Sequence, residues 1–377
     1  MLYRAILQAL FLAVFSVGGA FAQSFNEGAR KCEKCHETEV EVWKKTKHNK
    51  SFQDIHKKEE AKKILAAAGG GSMRANPSCV LCHFTETRAS ASAKPAVNSG
   101  PSCESCHGAS SDWRDVHNFY GEGIEDPKKE SPANKQKRLA DARKAGMIWS
   151  FMTYDIAANC MECHGLAHPK LKGDVLSKML EAGHPGEPEF ELVAYSQGSV
   201  RHRYYPPNVT ANAEMNAAEL ARLFVVGQAA KLASATAAAG KSDNAKYAAL
   251  QKKRAEDARK TLAAVADLPE VKAVLDKPTH DTARKLADAL KDKDVSAKVK
   301  TLLPAKGGYK SPARAGGMND AHVLQRPKRW DAPFDPDMSE EFVAELLGRP
   351  EFSSIDAARF PAAAPLHSIL RNDCRIS

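Results

Sequence analysis

Apolar residues are spread unevenly along the chain, and the pattern divides it into four stretches. One apolar run, Ala5 to Val17, is broken only by Gln8 and Ser16; Arg4 precedes it and the small-x-small triplet Ala20-Phe21-Ala22 follows. This is the layout of an export signal cleaved before Gln23, and the run is too short to span a bilayer. From Gln23 to Pro207 regular apolar periodicity is scarce. Two short helices are predicted there: His56 to Ala68, stopped by Gly69-Gly70-Gly71, and Ala133 to Ala145, closed by Gly146. After Pro206-Pro207 the composition shifts. Asn212 to Ala239 is Ala-rich, with Leu220, Leu223, Phe224 and Gly227 on one helical face, and Gly240 ends it. Asp243 to Ala266 sets Ala258, Thr261, Leu262 and Val265 in register, and shorter helices are predicted over Val271–Leu275, Thr282–Leu290 and Val295–Leu303. Together these form an antiparallel helical module. Beyond Pro304 the chain is rich in Pro, Gly and Arg, so an extended tail is expected, with one short helix over Glu340–Leu347. The expected boundaries are therefore 1–22, 23–207, 208–303 and 304–377.

A segment of this length without a regular apolar face needs another source of core. Eight of the nine cysteines supply one. They form four copies of Cys-x-x-Cys-His: Cys32–Cys35–His36, Cys79–Cys82–His83, Cys103–Cys106–His107 and Cys160–Cys163–His164. In each, two thiols sit on one side of a helical turn and can reach the two vinyl groups of a haem. The adjacent imidazole is left beneath the iron as proximal ligand. A single Cys-x-x-Cys would also serve zinc or thiol–disulfide exchange. Four, each followed by His and placed behind an export signal, read as covalent attachment of four haems c. The expected fold is thus mostly α: short helices and loops wrapped around four covalent haems, then the α-helical module and the extended tail. The motifs do not recur at a fixed period, so this is not a repeat array. Nineteen residues lie between His83 and Cys103, which makes the second and third haems near neighbours. Cys374 is left over and reads as an idle or buried thiol.

Haem attachment of this kind belongs outside the cytoplasm, and with the signal it places the chain in the periplasm. The mature chain carries no further segment apolar enough to cross a membrane. The formal charge is +9, and it falls by one when the signal is removed, because Arg4 is the only charged residue there. Haem propionates offset much of the remainder. The Lys and Arg residues are dispersed along helix faces with no binding motif, which argues against nucleic acid. A basic balance instead suits an acidic redox partner or a small anion.

Thirteen histidines minus the four proximal ones leaves nine: His48, His56, His117, His168, His184, His202, His280, His322 and His367. A second imidazole closes an iron for electron transfer, whereas an empty position admits a small molecule. His48, His117 and His184 follow the first, third and fourth motifs and are the expected distal ligands. His168 and His202 compete for a fourth role. His202, between Arg201 and Arg203, has another reading: with Arg201 it could bind an anion beside an open haem. His56 beside Lys57 and Lys58 reads as a solvated helix residue, and His280, His322 and His367 as structural. Met147, Met152 and Met161 read as helix packing.

These motifs resemble those of the cytochrome c-554 family. The likeness rests on the first motif followed by Trp43-x-x-Thr46-x-His48 and on a second motif lacking a nearby downstream His. It rests also on Gly100-x-x-Cys103-Glu104-Ser105-Cys106-His107-Gly108 followed by His117, and it covers about Gly28 to Tyr205. The resemblance implies a periplasmic electron carrier with closely stacked haems, with His48 and His117 in distal-ligand positions and the iron of His83 open. The chain departs from the family between Met147 and Asn159, where no His precedes the fourth motif. His184, His202 and the helical module look instead like features of broader multihaem proteins, so ligation of the fourth haem stays open.

Three functions fit. One is electron transfer between periplasmic or membrane-bound redox proteins. Another is an oxidoreductase acting on a small nitrogen or sulfur species at one open haem, with Arg201, His202 and Arg203 lining its pocket. The third is a haem-bearing subunit whose C-terminal helices dock a partner complex.

Overall fold

The computed structural model describes residues 23–205 and 208–310. The expected export signal, the helix over 340–347, Cys374, His322 and His367 lie outside the described residues. The chain is mostly helical, as the motif pattern and the Ala-rich stretches predict. The described residues begin with short helices: α1 (Arg30–Glu33), α2 (Glu37–Lys45), α3 (Lys47–Asp54) and α4 (Glu59–Ala67). The last was expected from His56. Lys58 adopts an extended conformation instead, so Ile55–Lys57 forms a separate 3-10 turn and α4 starts afresh at Glu59. Next comes α5 (Pro77–His83), with Pro77 in its first turn and the Asn76 side chain accepting from the Ser78 and Cys79 amides.

A two-stranded antiparallel ribbon, β1 (Thr85–Thr87) with β2 (Ala96–Ser99), joins the second motif to the third. Its inner edge is tied by the Thr85 hydroxyl, which donates to the Gly100 carbonyl at 2.9 Å while accepting from the Ser102 amide at 3.0 Å. Then follow α6 (Cys103–His107), α7 (Arg114–His117), α8 (Pro132–Lys144), α9 (Thr153–His164), α10 (Gly173–Glu181) and α11 (Leu192–Ser196). The remaining helices are α12 (Ala217–Ala238), α13 (Ala245–Ala263), α14 (Pro269–Asp276), α15 (His280–Leu290) and α16 (Ser296–Val299).

Helix α12 begins five residues later than its composition suggests. Asn216 and Glu219 form a capping box at its start. Asn212 is drawn into the preceding loop, where its side chain accepts from the Arg203 amide and donates to the Arg201 carbonyl. The helix is not amphipathic in place: it is buried from Leu223 to Ala235 on every face. Small residues make this possible, since Ala and Gly let several neighbours approach one axis.

The apolar core crosses residue 207. Tyr154, Ala157 and Met161 of α9 and Leu192 and Val193 of α11 share one cluster with α12, Ala258 and Leu262 of α13, and α14, α15 and α16. A second cluster joins Ile64 of α4, Leu176 and Leu180 of α10, and Tyr247 of α13. The haem-motif segment therefore does own apolar packing, but much of it is built with helices that come later in the chain. Residues 304–310 also pack back: the Lys310 amide donates to the Ala194 carbonyl, and the Ser199 amide to the Lys310 carbonyl. Among the described residues, no helix is long and apolar enough to cross a membrane.

Candidate haem-binding centre

Each motif is placed by a helix end. Cys32 lies in α1, and His36 stands at the N-cap of α2. The second motif fills α5, and the third fills α6, whose Ser102 and Ser105 form a capping box. The fourth ends α9, a full 12-residue helix. Motifs distant in sequence adjoin: Cys32 lies against Cys103, and Cys82 against Cys163. Asn159 of α9 donates to the Cys106 carbonyl at 3.3 Å, tying the third motif to the fourth. Glu104, between the two cysteines of the third motif, is buried and accepts from the Glu27 and Gly28 amides at 2.7 Å. It thereby fastens the segment leading into the first motif.

The histidines of the four motifs each face a different second histidine. Ring centres are 6.4 Å apart for His36 and His117, 6.0 Å for His83 and His184, 6.3 Å for His107 and His202, and 6.2 Å for His164 and His48. Two imidazoles holding one iron between them, bonded through Nε2 at about 2.0 Å with about 1.2 Å more to each ring centre, would stand about 6.4 Å apart. The residues present therefore fit four haems, each between two rings. They meet as pairs, which suits axial coordination rather than a tetrahedral metal site; among the described residues, no group of three or more His, Cys, Asp or Glu gathers as a bare metal cluster.

A second observation supports the fit. Iron binding through Nε2 requires the proton on Nδ1, held by an acceptor. Nδ1 of His107 meets the Ile148 carbonyl at 2.8 Å, that of His184 the Pro185 carbonyl at 2.9 Å, and that of His202 the Val200 carbonyl at 2.6 Å. Nδ1 of His117 meets the Arg114 carbonyl, and that of His164 meets Glu187 Oε2 at 2.6 Å. Burial pushes His48, His83 and His117 down to about 4, so they are neutral at ordinary pH, the form that binds a metal.

The placement of the facing histidines has local causes. Thr46 caps α3 by accepting from the Asn49 amide, which starts the helix one residue before His48. His184 follows Gly183, whose φ of +98° turns the chain out of α10. His202 sits on an extended strap that the Asn212 side chain brackets on both sides. Arg201 is paired with Glu214 at 3.5 Å and Arg203 with Glu219 at 2.7 Å, so their charges are already met by carboxylates.

The other histidines stand elsewhere. His168 accepts from the Lys170 amide and lies 3.5 Å from Glu162. His280 packs on Tyr154, whose hydroxyl is 2.6 Å from its Nδ1. His56 lies in the 3-10 turn with its Nδ1 buried and without a partner. Met161 is buried in the main cluster, and Met152 accepts from the Trp149 amide.

Sequence reasoning missed the clamp on the fourth motif. Tyr247, Gln251 and Arg254 recur along one face of α13. Tyr247 donates to the Leu166 carbonyl at 3.0 Å, and Gln251 to the Gly165 carbonyl at 2.9 Å. Arg254 reaches Gly165, Gln251, Met161 and Ser234. Its guanidinium is pushed down to about 10 by burial. The spacing was visible in the sequence, but nothing local says what the polar stripe grips.

Four Cys-x-x-Cys-His motifs, each with its imidazole facing another, define a c-type cytochrome. Residues 31–108 match the family model described as cytochrome c554 and c-prime. The chain is also 29% identical over 145 residues to the cytochrome c-554 of Nitrosomonas europaea, an alignment covering 37% of this chain and 57% of that relative. The chain thus spans little more than half the length of the curated relative it matches. No solved structure matches it. Through its haem-motif segment the chain resembles the cytochrome c-554 family.

Proposed function

We propose that this chain is a periplasmic four-haem electron carrier in which two imidazoles close every iron. The observation that carries the reading is the set of four histidine pairs, 36 with 117, 83 with 184, 107 with 202 and 164 with 48, spaced for an iron between them. Haem c supplies one-electron exchange between ferric and ferrous iron. The chain's own part would be to hold both histidine rings of each pair in place, so that a bound iron would keep both ligands in either state. The cysteines fasten the porphyrin edges, and the helical core keeps the ligand-bearing segments from shifting. Such a centre exchanges electrons with little rearrangement and offers no free position to a substrate. Its partners are periplasmic or membrane-bound redox proteins that dock weakly and transiently.

The resemblance alone implies an open second iron. Here His184 faces His83, and this reading closes that iron too. The test is the ferric EPR spectrum of the protein from a periplasmic fraction, with a pyridine haemochrome count. Four haems with only low-spin signals, unchanged by cyanide or nitric oxide, are expected. A stoichiometric high-spin signal that responds to either would overturn the reading and make small-molecule chemistry the function.

A further inference from the structure

The histidine pairs are not held alike. At His107, His117, His184 and His202 the Nδ1 acceptor is a neutral backbone carbonyl. At His164 it is a carboxylate, Glu187 Oε2 at 2.6 Å. Glu39 stands 3.7 Å from His36 Nδ1, beyond hydrogen-bond length. The Glu187 contact is built rather than incidental. Glu187 lies on the loop after His184, and Lys231 of α12 donates to the Pro188 and Phe190 carbonyls, pinning the loop from within the core. Gly186 is pressed against Leu250 so closely that a Cβ would lie 2.9 Å from it. Phe190 stacks on the His164 ring with centres 4.3 Å apart, fixing the ring plane, and Tyr195 meets its edge at 5.5 Å.

We propose that Glu187 is a positioning residue that makes the iron between His164 and His48 a low-potential centre. This rests on the four-haem reading above. A carboxylate accepting the Nδ1 proton increases the electron donation of Nε2 to its metal. Stronger donation favours ferric over ferrous iron, so the centre gives up its electron more readily. The step itself is one electron taken up or released by one iron, with Nδ1 keeping its proton and no bond formed or broken. The same loop carries His184, the partner of His83, and so connects the ligand shells of two centres. Electrons held at the fourth centre run downhill to the iron between His107 and His202, whose two rings both lean on backbone carbonyls.

The experiment is a spectroelectrochemical titration of the full four-haem protein and of Glu187→Gln, which keeps shape and an acceptor oxygen but removes the charge. One of the four potentials should rise while the other three stay in place, with haem count and low-spin EPR signals intact. An unchanged set of four potentials would overturn the proposal, because a merely structural contact would lower the melting temperature and leave potentials alone. Should the Gln variant fail to load haem, Glu187→Asp decides. Its shorter reach weakens the contact, so an upward shift of one potential supports the assignment and an unchanged set overturns it. Failure of the four-haem reading is distinguishable, since it appears in the unmodified protein as fewer than four haems or a high-spin signal.

Discussion

The imidazoles of His48 and His164 face each other with ring centres 6.2 Å apart, although His48 follows the first haem motif and His164 ends the fourth. The other pairs are crossed in the same way: a ring after the third motif meets the first, and a ring after the fourth meets the second. No motif carries both of its rings on one local segment. The haem-binding region therefore cannot close one motif at a time, and a disturbance of one segment reaches the centre formed by another.

Replacing His184 with Gly should open the iron on the second motif, and replacing His202 should open that on the third. Each variant is expected to keep four haems, to show one high-spin signal in four, and to bind cyanide. Added imidazole should restore the low-spin spectrum. A His184→Gly protein that stays wholly low-spin would show that His184 is not the partner of His83.

Gly100→Ala should act at a distance on the fourth centre. A Cβ at position 100 would overlap the His48 carbonyl oxygen and sit 2.5 Å from Ser51 Oγ, so α3 must shift to admit it. Overpacking of this kind costs about 1–3 kcal/mol. Because α3 carries His48, the loss in melting temperature should come with partial high-spin character at the iron of His164. Thermal unfolding and EPR on one sample measure both.

The helices after residue 207 should prove inseparable from the fourth motif. Arg254 is buried with hydrogen bonds to Gly165 and Gln251 and, among the described residues, no carboxylate partner. Arg254→Ala leaves a cavity and unpaired polar groups, and a cost of about 2–5 kcal/mol is expected. Truncation after residue 207 should lose haem at the fourth motif, read by the haemochrome count. A truncated chain that keeps all four haems would instead favour a separable docking module.

Acid should weaken the turn that carries His117. Arg138 and Glu130 form a two-pronged ion pair, with side chains 8% and 4% exposed, and Arg138 also donates to the His117 carbonyl at 2.7 Å. The Arg138 guanidinium holds the Glu130 carboxyl below its ordinary value of 4.5. A depressed folded value means the pair stabilises the fold above the ordinary carboxylate range and loses that contribution as pH falls through the folded value. Melting temperatures of the protein and of Glu130→Gln should differ at pH 7 and converge toward pH 3. Removing Arg138 at neutral pH should cost about 3–5 kcal/mol, since it strands a buried charge.

Helix existence was readable wherever a local signal carried it. The Ala-rich run ending at Gly240 and the glycines after Ala68 and Ala145 all act within a turn of the residues they govern. Helix beginnings were less so. Lys58 and Asn212 are compatible with a helix, yet Lys58 takes an extended backbone and Asn212 is drawn onto the 201–203 segment by its side-chain hydrogen bonds. The burial of α12 on all faces was also hidden, because its period suits a one-sided helix until neighbours cover every side.

By itself the sequence determined the chemistry of attachment and the class of protein, because two thiols and an imidazole within five residues act as one local unit. Only the tertiary structure decided which histidine faces which, that Glu187 rather than a carbonyl holds His164, and that α13 clamps the fourth motif. Those are contacts between residues far apart in the chain. They carry no periodicity and no fixed spacing, so they exist only once the packed core has brought their segments together.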